Sequence, residues 1–292
     1  MRWQHLKPSS QVTKLVQKAL EKRAHLLDVK TNALRIFDGL GDGLSGVSID
    51  SYADTWVVAT QKDQIPADFL ECLKNSGRSV YWKKLSQSQK ESPIHIAGKE
   101  VDEVFSACES GVHYEICYQA GYSQGIFLDQ RENRKKVRNR VHSGDKVLNT
   151  FAYTGAFSVC AALGGATTTT LDLSQPYLEW GKRNFELNQL RPEEHHWCKG
   201  DTFHWLDRFK KKGRTFDGII LDPPTFSRDA KGKVFRVEKD YTRLVELAVA
   251  CLNKGGWLLA STNCRKLSDR DFFKDGAIRM SERSAGSIAF DA

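Results

Sequence analysis

Four segments in the second half of the chain carry residue types suited to holding a small molecule. They are Asn149, Phe151, Tyr153, Thr154 and Gly155 in LNTFAYTGAFS; Asp172 and Leu173 in TTTTLDLS; Asp201 and Thr202 in KGDTFHWL; and Asp222, Pro223, Pro224 and Phe226 in FDGIILDPPTFS. A glycine after a strand permits a tight turn, which lets backbone N–H groups approach a ligand at the start of the next helix. An acidic residue closing the following strand, as Asp172 does, is suited to accept hydrogen bonds from a ribose diol. Asp201 fits an adenine edge or a helix N-cap, where Asp is favoured, and the two readings stand level. Two prolines after a buried strand stiffen the backbone and hold Asp222 in place. The chemistry implied is recognition of a nucleoside-bearing cofactor, and both S-adenosylmethionine (SAM) and a nicotinamide dinucleotide fit the spacing. No GxGxxG follows the first of these strands. A pyrophosphate therefore lacks a cradle, and the dinucleotide is the lesser reading.

Placing such residues along one edge requires strands that alternate with helices and run parallel. From Gly144 onward the pattern supplies this: strands at KVLNTFAY, TTTTLDLS, FDGIILDPP and GGWLLAST, and helices at GAFSVCAALGG, from Gln175 to Leu190, and at DYTRLVELAVACL. A doubly wound α/β sheet is expected, with its ligand beyond the carboxyl ends of the strands. The first part of the chain reads differently. Residues 11–27 form an amphipathic basic helix, and ALRIFDGLGDGLSGVSIDSYADTWVVAT reads as an antiparallel meander whose glycines 39, 41, 43 and 46 form turns. Lys83 to Pro93 is a polar loop, followed by short strands up to about Tyr118, where the domain boundary is expected.

With 292 residues, 40% of them apolar, the chain can bury two cores, and disorder is excluded. The net charge of +8 suits a polyanionic partner and is concentrated in residues 1–35 and 131–146. No apolar run approaches the roughly 18 residues needed to span a bilayer, and MRWQHLKPSS lacks the apolar stretch of a secretory signal, so a cytoplasmic location is expected. Seven scattered cysteines without a CxxC pair indicate reduced, mostly buried thiols. His195, His196 and Cys198 have no fourth ligand nearby, and no metal is expected.

The segments GIFLDQRENR, LNTFAYTGAFS, TTTTLDLSQPYLEWGKRNFELN and FDGIILDPPTFS together resemble the bacterial large-subunit (23S) rRNA methyltransferases over residues 120–265. ALRIFDGLGDGLSGVSIDSYAD resembles the small domain preceding their catalytic domain, as in the cytosine-5 members. The resemblance implies a small α+β domain over 1–118 with a role in RNA binding. It implies a class I SAM-dependent methyltransferase domain, a Rossmann-like doubly wound sheet, over 119–292. SAM is the implied cofactor and large-subunit rRNA the implied partner. It further implies that Gln130 and Arg131 border the methionine end of SAM, above a turn formed by Asn149, Phe151, Tyr153 and Gly155. Asp172 with Leu173 would hold the ribose, Asp201 with Thr202 would meet the adenine, and Asp222 would face the transferred methyl.

Which base is methylated is a question of nucleophilicity. Carbon 5 of cytosine reacts only after a thiolate adds to carbon 6. The resemblance puts that thiol at the position of Asn263, while Cys264 stands one residue later and points to the other face of an extended segment. Guanine N7 is already nucleophilic and carries no proton, so alignment with the sulfonium methyl is sufficient. DPPTFSR, YLEWGKRNFELN and the STN segment lean toward the guanine-N7 members. On this reading Asp222 and Asn263 orient the guanine and Phe226 offers a stacking surface, with core packing the rival role for Phe226. The alternatives are a cytosine-5 methyltransferase using Cys264, a nicotinamide oxidoreductase, and an RNA-binding protein that keeps the fold without catalysis. The residues after Cys264 are fewer than the family's usual final helix and strand pair, so the expectation is an incomplete sheet edge. The first basic helix and RENRKKVRNR are candidates for phosphate contact, the second adjoining the cofactor site.

Overall fold

The computed structural model describes residues 10–228, 232, 234–262 and 288–289. The chain divides into two compact units, Met1–Arg131 and Glu132–Ala292. The dividing point falls later than residue 118 because the segment after the last strand of the first unit is tied back into that unit. The Tyr118 hydroxyl is hydrogen-bonded to Thr55. Lys83 Nζ donates to the Tyr122 carbonyl at 3.1 Å and to Gln124 Oε1 at 2.9 Å.

In the first unit, helix α1 (Gln11–Arg23) is capped by Ser10, whose side chain accepts from Thr13 N. Strands β1 (Ala33–Asp38), β2 (Val47–Tyr52), β3 (Thr55–Thr60), β4 (Ser79–Lys84) and β5 (Ile94–Ala97) form one sheet in that spatial order. The meander β1–β2–β3 is antiparallel as its turn glycines suggested, with Gly39, Gly43 and Gly46 all at positive φ. Between β3 and β4 the helix α2 (Ala67–Lys74) makes a crossover, and β4 runs parallel to β3. Strands β6 (Val104–Glu109) and β7 (Val112–Cys117) form a separate hairpin. One sheet face packs on α1 and α2 through Val16, Leu20, Phe37, Trp56 and Phe69.

The second unit opens with α3 (Arg131–Arg140), whose first residue belongs to the unit before it. Then β8 (Lys146–Thr150), α4 (Ala156–Leu163), β9 (Thr167–Asp172), α5 (Gln175–Leu187), β10 (His196–Lys199), α6 (Thr202–Lys211) and β11 (Phe216–Leu221) alternate. A short antiparallel pair, β12 (Phe226–Arg228) and β13 (Val234–Arg236), precedes α7 (Val237–Val249) and β14 (Leu252–Ala260). A two-residue strand β15 (Ile288–Ala289) pairs parallel with β14. The sheet order β10-β9-β8-β11-β14-β15 is wholly parallel and reverses direction of growth between β8 and β11. This is the doubly wound arrangement expected. Beyond the expected final strand at GGWLLAST, the described residues therefore add one more paired strand, while 263–287 lie outside them.

Alternation along β11 serves both faces, as a sheet buried on two sides requires. Ile219 and Leu221 enter the core under α6 and α7, and Ile220 enters the core under α3 and α4. Strand β9 is less apolar than a central strand usually is, since Thr168, Thr169 and Thr170 are all buried. Each hydroxyl is matched, to His195 Nδ1 (3.2 Å), an Arg214 guanidinium N–H (2.7 Å) and Ser158 Oγ (2.8 Å) respectively, which removes the cost of burying it.

Candidate active site

The ladder registers bring the sequence candidates of this unit onto one edge. Thr150 pairs with Leu171 on one side and with Leu221 on the other, Leu221 pairs with Ala260, and Lys199 pairs with Asp172. Phe151, Asp172, Asp222 and Ser261 therefore leave their strands side by side, at the point where the sheet order reverses. Ligands bind in such a crevice because the adjacent loops there diverge to opposite faces of the sheet.

The strand expected over KVLNTFAY stops at Thr150 because the next residues turn left-handed. Phe151 and Tyr153 both have φ +51°, and Gly155 has φ +70°. Outside glycine this conformation costs about 1–2 kcal/mol per residue, so surrounding contacts must impose it. Here they do. Tyr153 N donates to Asp172 Oδ2 at 2.8 Å, and the Tyr153 ring meets Tyr177 edge-on at 4.6 Å and Trp180 at 6.1 Å. The Phe151 ring lies 5.6 Å from Phe235. Asn184, fully buried in α5, donates to the Thr154 carbonyl at 2.9 Å. Gly181 lets α5 come close beneath the turn, since a Cβ there would lie 2.9 Å from the Trp197 ring and 3.3 Å from the Thr154 carbonyl.

Asp172 is the organising acid of this turn. Its two oxygens accept from the backbone of both flanking segments, Oδ2 from Tyr153 N and Oδ1 from Ser174 N, each at 2.8 Å. Burial pushes its carboxyl above the ordinary carboxylate range, and the backbone donors oppose that shift. Each carboxylate oxygen has a second lone pair, so both amide bonds leave acceptor capacity for a diol. Beside it, Leu173 is 36% exposed, an apolar surface at the edge of the crevice.

Asn149 sits deeper than a ligand contact would require. It is 1% exposed, and its Nδ2 donates to Ser158 Oγ at 2.9 Å, so it braces β8 against α4. Asp201 is the N-cap of α6, Oδ1 accepting from His204 N at 3.0 Å, and Thr202 is the buried first residue of that helix. The cap role read from the sequence is thus present, and it leaves acceptor lone pairs for an adenine edge. Gln130 and Arg131 belong to the first unit, at the end of a one-turn helix and at the start of α3. The backbone of Phe226 opens β12, and Asn263 and Cys264 lie outside the described residues.

Asp222 follows β11 directly, and its Oδ1 accepts from Ser261 Oγ at 2.6 Å. Ser261 follows β14 and was not singled out in the sequence. Its position directly after the GGWLLA strand is the signal that marks it, since Phe151 and Asp222 follow their strands in the same way. Tyr177 and Trp180, which wedge the cofactor turn, were equally unmarked, because aromatic residues in a helix read as core.

The basic run of α3 is divided in its exposure. Asn133, Arg134 and Val137 are buried, with the Arg134 guanidinium 5.9 Å from the Phe157 ring and that of Arg140 6.0 Å from the Trp257 ring. Lys135 and Lys136 are exposed. His195 is half-buried, and its Nδ1 accepts from Thr168 N at 3.1 Å. Among the described residues no group of His, Cys, Asp or Glu could hold a metal, and no helix is long and apolar enough to cross a membrane.

Comparison with known proteins decides between the two cofactors. The family model described as S-adenosylmethionine-dependent methyltransferase matches residues 76–290. The chain belongs to this family. The nicotinamide and non-catalytic readings are thereby set aside, and the protein is a SAM-dependent methyltransferase. A Bacillus subtilis relative, YwbD, provisionally named a ribosomal RNA large subunit methyltransferase, is 36% identical over 90% of this chain and 69% of its own length. Ribosomal RNA large subunit methyltransferase K of Neisseria meningitidis is 41% identical over 58% of this chain, which spans only 48% of that relative. Among solved structures, SMU.776, a provisionally assigned methyltransferase crystallised with SAH, superposes with a TM-score of 0.81. It is 35% identical, covering 92% of this chain and 72% of its own.

The residues of the crevice fit SAM. Backbone turned left-handed at the first strand end, a half-buried acid with lone pairs to spare for a ribose, and an exposed leucine beside it are complementary to a nucleoside joined to an amino acid. When bound, SAM supplies an electrophilic methyl on a sulfonium. The chain's own part is to hold that methyl and the acceptor in line and to exclude water.

Proposed function

We propose that this SAM-dependent methyltransferase modifies a guanine of large-subunit rRNA at N7. The names of the Bacillus and Neisseria relatives support rRNA as acceptor. The observation that carries the choice of base is the carboxylate of Asp222, held at the strand edge by Ser261, with no cysteine directly following a strand of the second unit among the described residues. Cys160, Cys198 and Cys251 of the second unit are all buried, and burial pushes the thiols of Cys198 and Cys251 up, away from the thiolate that attack on a cytosine needs. Asp222 accepts from the guanine edge, Asn263 assists, and Phe226 stacks on the splayed base. Asp172 and Leu173 border the ribose of SAM, and Asp201 and Thr202 its adenine. Lys135 and Lys136 on α3 meet phosphates.

The test is incubation of the chain with radiolabelled SAM and large-subunit rRNA, free or in particles, followed by digestion to nucleosides and mass analysis. The expected product is 7-methylguanosine, undiminished in Cys264→Ser. Recovery of 5-methylcytidine that disappears in Cys264→Ser would assign the cytosine chemistry instead. Phe226→Ala is expected to lose methylation while keeping its affinity for S-adenosylhomocysteine (SAH).

A further inference from the structure

The geometry points to Ser261 as the positioning residue for Asp222, with Tyr241 of α7 holding Ser261 in turn. The inference rests on the reading of Asp222 as the group that orients the acceptor. Ser261 is fully buried, and four contacts define its place. Its backbone N–H continues the ladder onto the Leu221 carbonyl at 2.9 Å. Its own carbonyl accepts from the buried Tyr241 hydroxyl at 3.1 Å. Its Oγ lies 2.6 Å from Asp222 Oδ1 and 3.4 Å from the Leu221 carbonyl. A hydroxyl has one proton to give, and the shorter, charge-assisted contact takes it.

The consequence for Asp222 is a single orientation. A carboxylate that leaves a strand in a loop ordinarily samples rotamers about χ1 and swings broadly about χ2. Tying one oxygen to a hydroxyl on the neighbouring strand directs the rest of the carboxylate's lone pairs in one direction along the strand edge. The two prolines after Asp222 stiffen the backbone and Ser261 stiffens the side chain, so the strand end presents a fixed acceptor. Tyr241 contributes at one remove: it anchors the Ser261 carbonyl beyond the last rung of β14, where the chain would otherwise be free to leave the sheet. Burial raises the Tyr241 phenol far above its ordinary value, with Asp222 adding to the shift, so it remains a donor throughout the working pH range. In-line transfer is sensitive to displacements of about 1 Å, so a residue that touches no reactant can still govern the rate.

The experiment uses the full chain with rRNA acceptor, radiolabelled SAM and counting of total methyl transferred, whichever base receives it. Ser261→Ala is expected to lower kcat about 10- to 100-fold, the loss associated with one hydrogen bond to a charged group. KM for RNA and Kd for SAH stay within about twofold, the latter also reporting that the variant is folded. Tyr241→Phe, which removes one hydroxyl and keeps the ring, is expected to lower kcat by a smaller factor. In an Asp222→Ala background neither change lowers the rate further, because both act through that carboxylate. Wild-type kcat in Ser261→Ala overturns the inference, as does an equal further loss on the Asp222→Ala background. Full activity in Asp222→Ala would overturn the reading of Asp222 as well, which separates the two failures.

Discussion

Replacing Asp172 with Ala removes an acid that braces the fold and that we propose holds the ribose of the cofactor, and the two losses can be measured separately. In the folded chain the carboxylate accepts from Tyr153 N and Ser174 N, both at 2.8 Å. Hydrogen bonds to a charged group contribute about 1.5–3 kcal/mol each. The gain is partly offset because burial already disfavours the ionised form. A net loss of about 2–4 kcal/mol is expected, and at about 2–4 °C per kcal/mol the melting midpoint falls by roughly 4–16 °C. Cofactor affinity loses the contact with the ribose diol, again about 1.5–3 kcal/mol, or roughly 10- to 150-fold in Kd. Asp172→Asn separates shape from charge. The amide keeps the volume, but its NH2 faces one of the two backbone donors, so Asn is expected to lose most of what Ala loses. The assay is calorimetric titration with SAH well below each variant's melting midpoint, with circular dichroism confirming the fold. An SAH affinity within twofold of wild type in both variants would refute the assignment of Asp172 to the ribose, however large the loss of stability.

Other consequences are as specific. Because burial raises the Asp172 carboxyl and ribose hydroxyls favour its ionised form, SAH affinity is expected to be full above that raised value. It then falls on acidification, beginning at a higher pH than an ordinary carboxylate would give, and titrations of Asp172→Asn should lose this limb. His195 is shifted the other way: burial, with His196 beside it, lowers its folded value below 6.5 while Nδ1 accepts from Thr168 N. Its contribution to stability is therefore present above about pH 6.5 and is lost as pH falls from there through the lowered value; urea melts across pH 5–8 should show a shallower slope in His195→Ala. Gly218→Ala would place a Cβ 2.2 Å from the buried Trp257 ring, an overpacking expected to cost about 3 kcal/mol in urea unfolding and to be partly relieved by Trp257→Leu. Gly181→Ala pushes α5 from the cofactor turn, and it should weaken SAH binding as well as lowering stability by about 1–3 kcal/mol.

Most of the second unit's architecture was legible because its signals are local. Short apolar runs such as GIIL and WLLA, bounded by glycine, proline and polar residues, read as strands of a sheet covered on both sides, and the DYTRLVELAVACL segment between them carries a period-3.6 pattern. The Asp201 cap was legible for the same reason: an N-cap is made within three residues. The boundary between the units was read too early. The contacts that retain residues 118–131 join Tyr118 to Thr55 and Lys83 to Tyr122 and Gln124, and no pattern within the segment announces them. Asn149 was read as lining the cofactor site because it stands in the right segment, yet its alternation along β8 turns it into the sheet interior against Ser158.

The sequence by itself determined the alternation of strands and helices, the acids and glycine at the strand ends, and hence the class of cofactor. Strand ends are where chain direction must change, so turn formers and ligand-facing acids collect there and remain visible in one dimension. Tertiary structure alone decided which of these residues stand together and how each is aimed. The ladder register, propagated from Thr150 through Leu221 to Ala260, puts Ser261 beside Asp222 although 39 positions separate them. The left-handed backbone of Phe151 and Tyr153 likewise follows from no local preference, since both residue types avoid it. Tyr153 is held there by a carboxylate from the next strand, and the rings of Tyr177 and Trp180 pack against it; Phe151 packs on Phe235. These are long-range contacts, and a linear sequence carries the partners without carrying their distance.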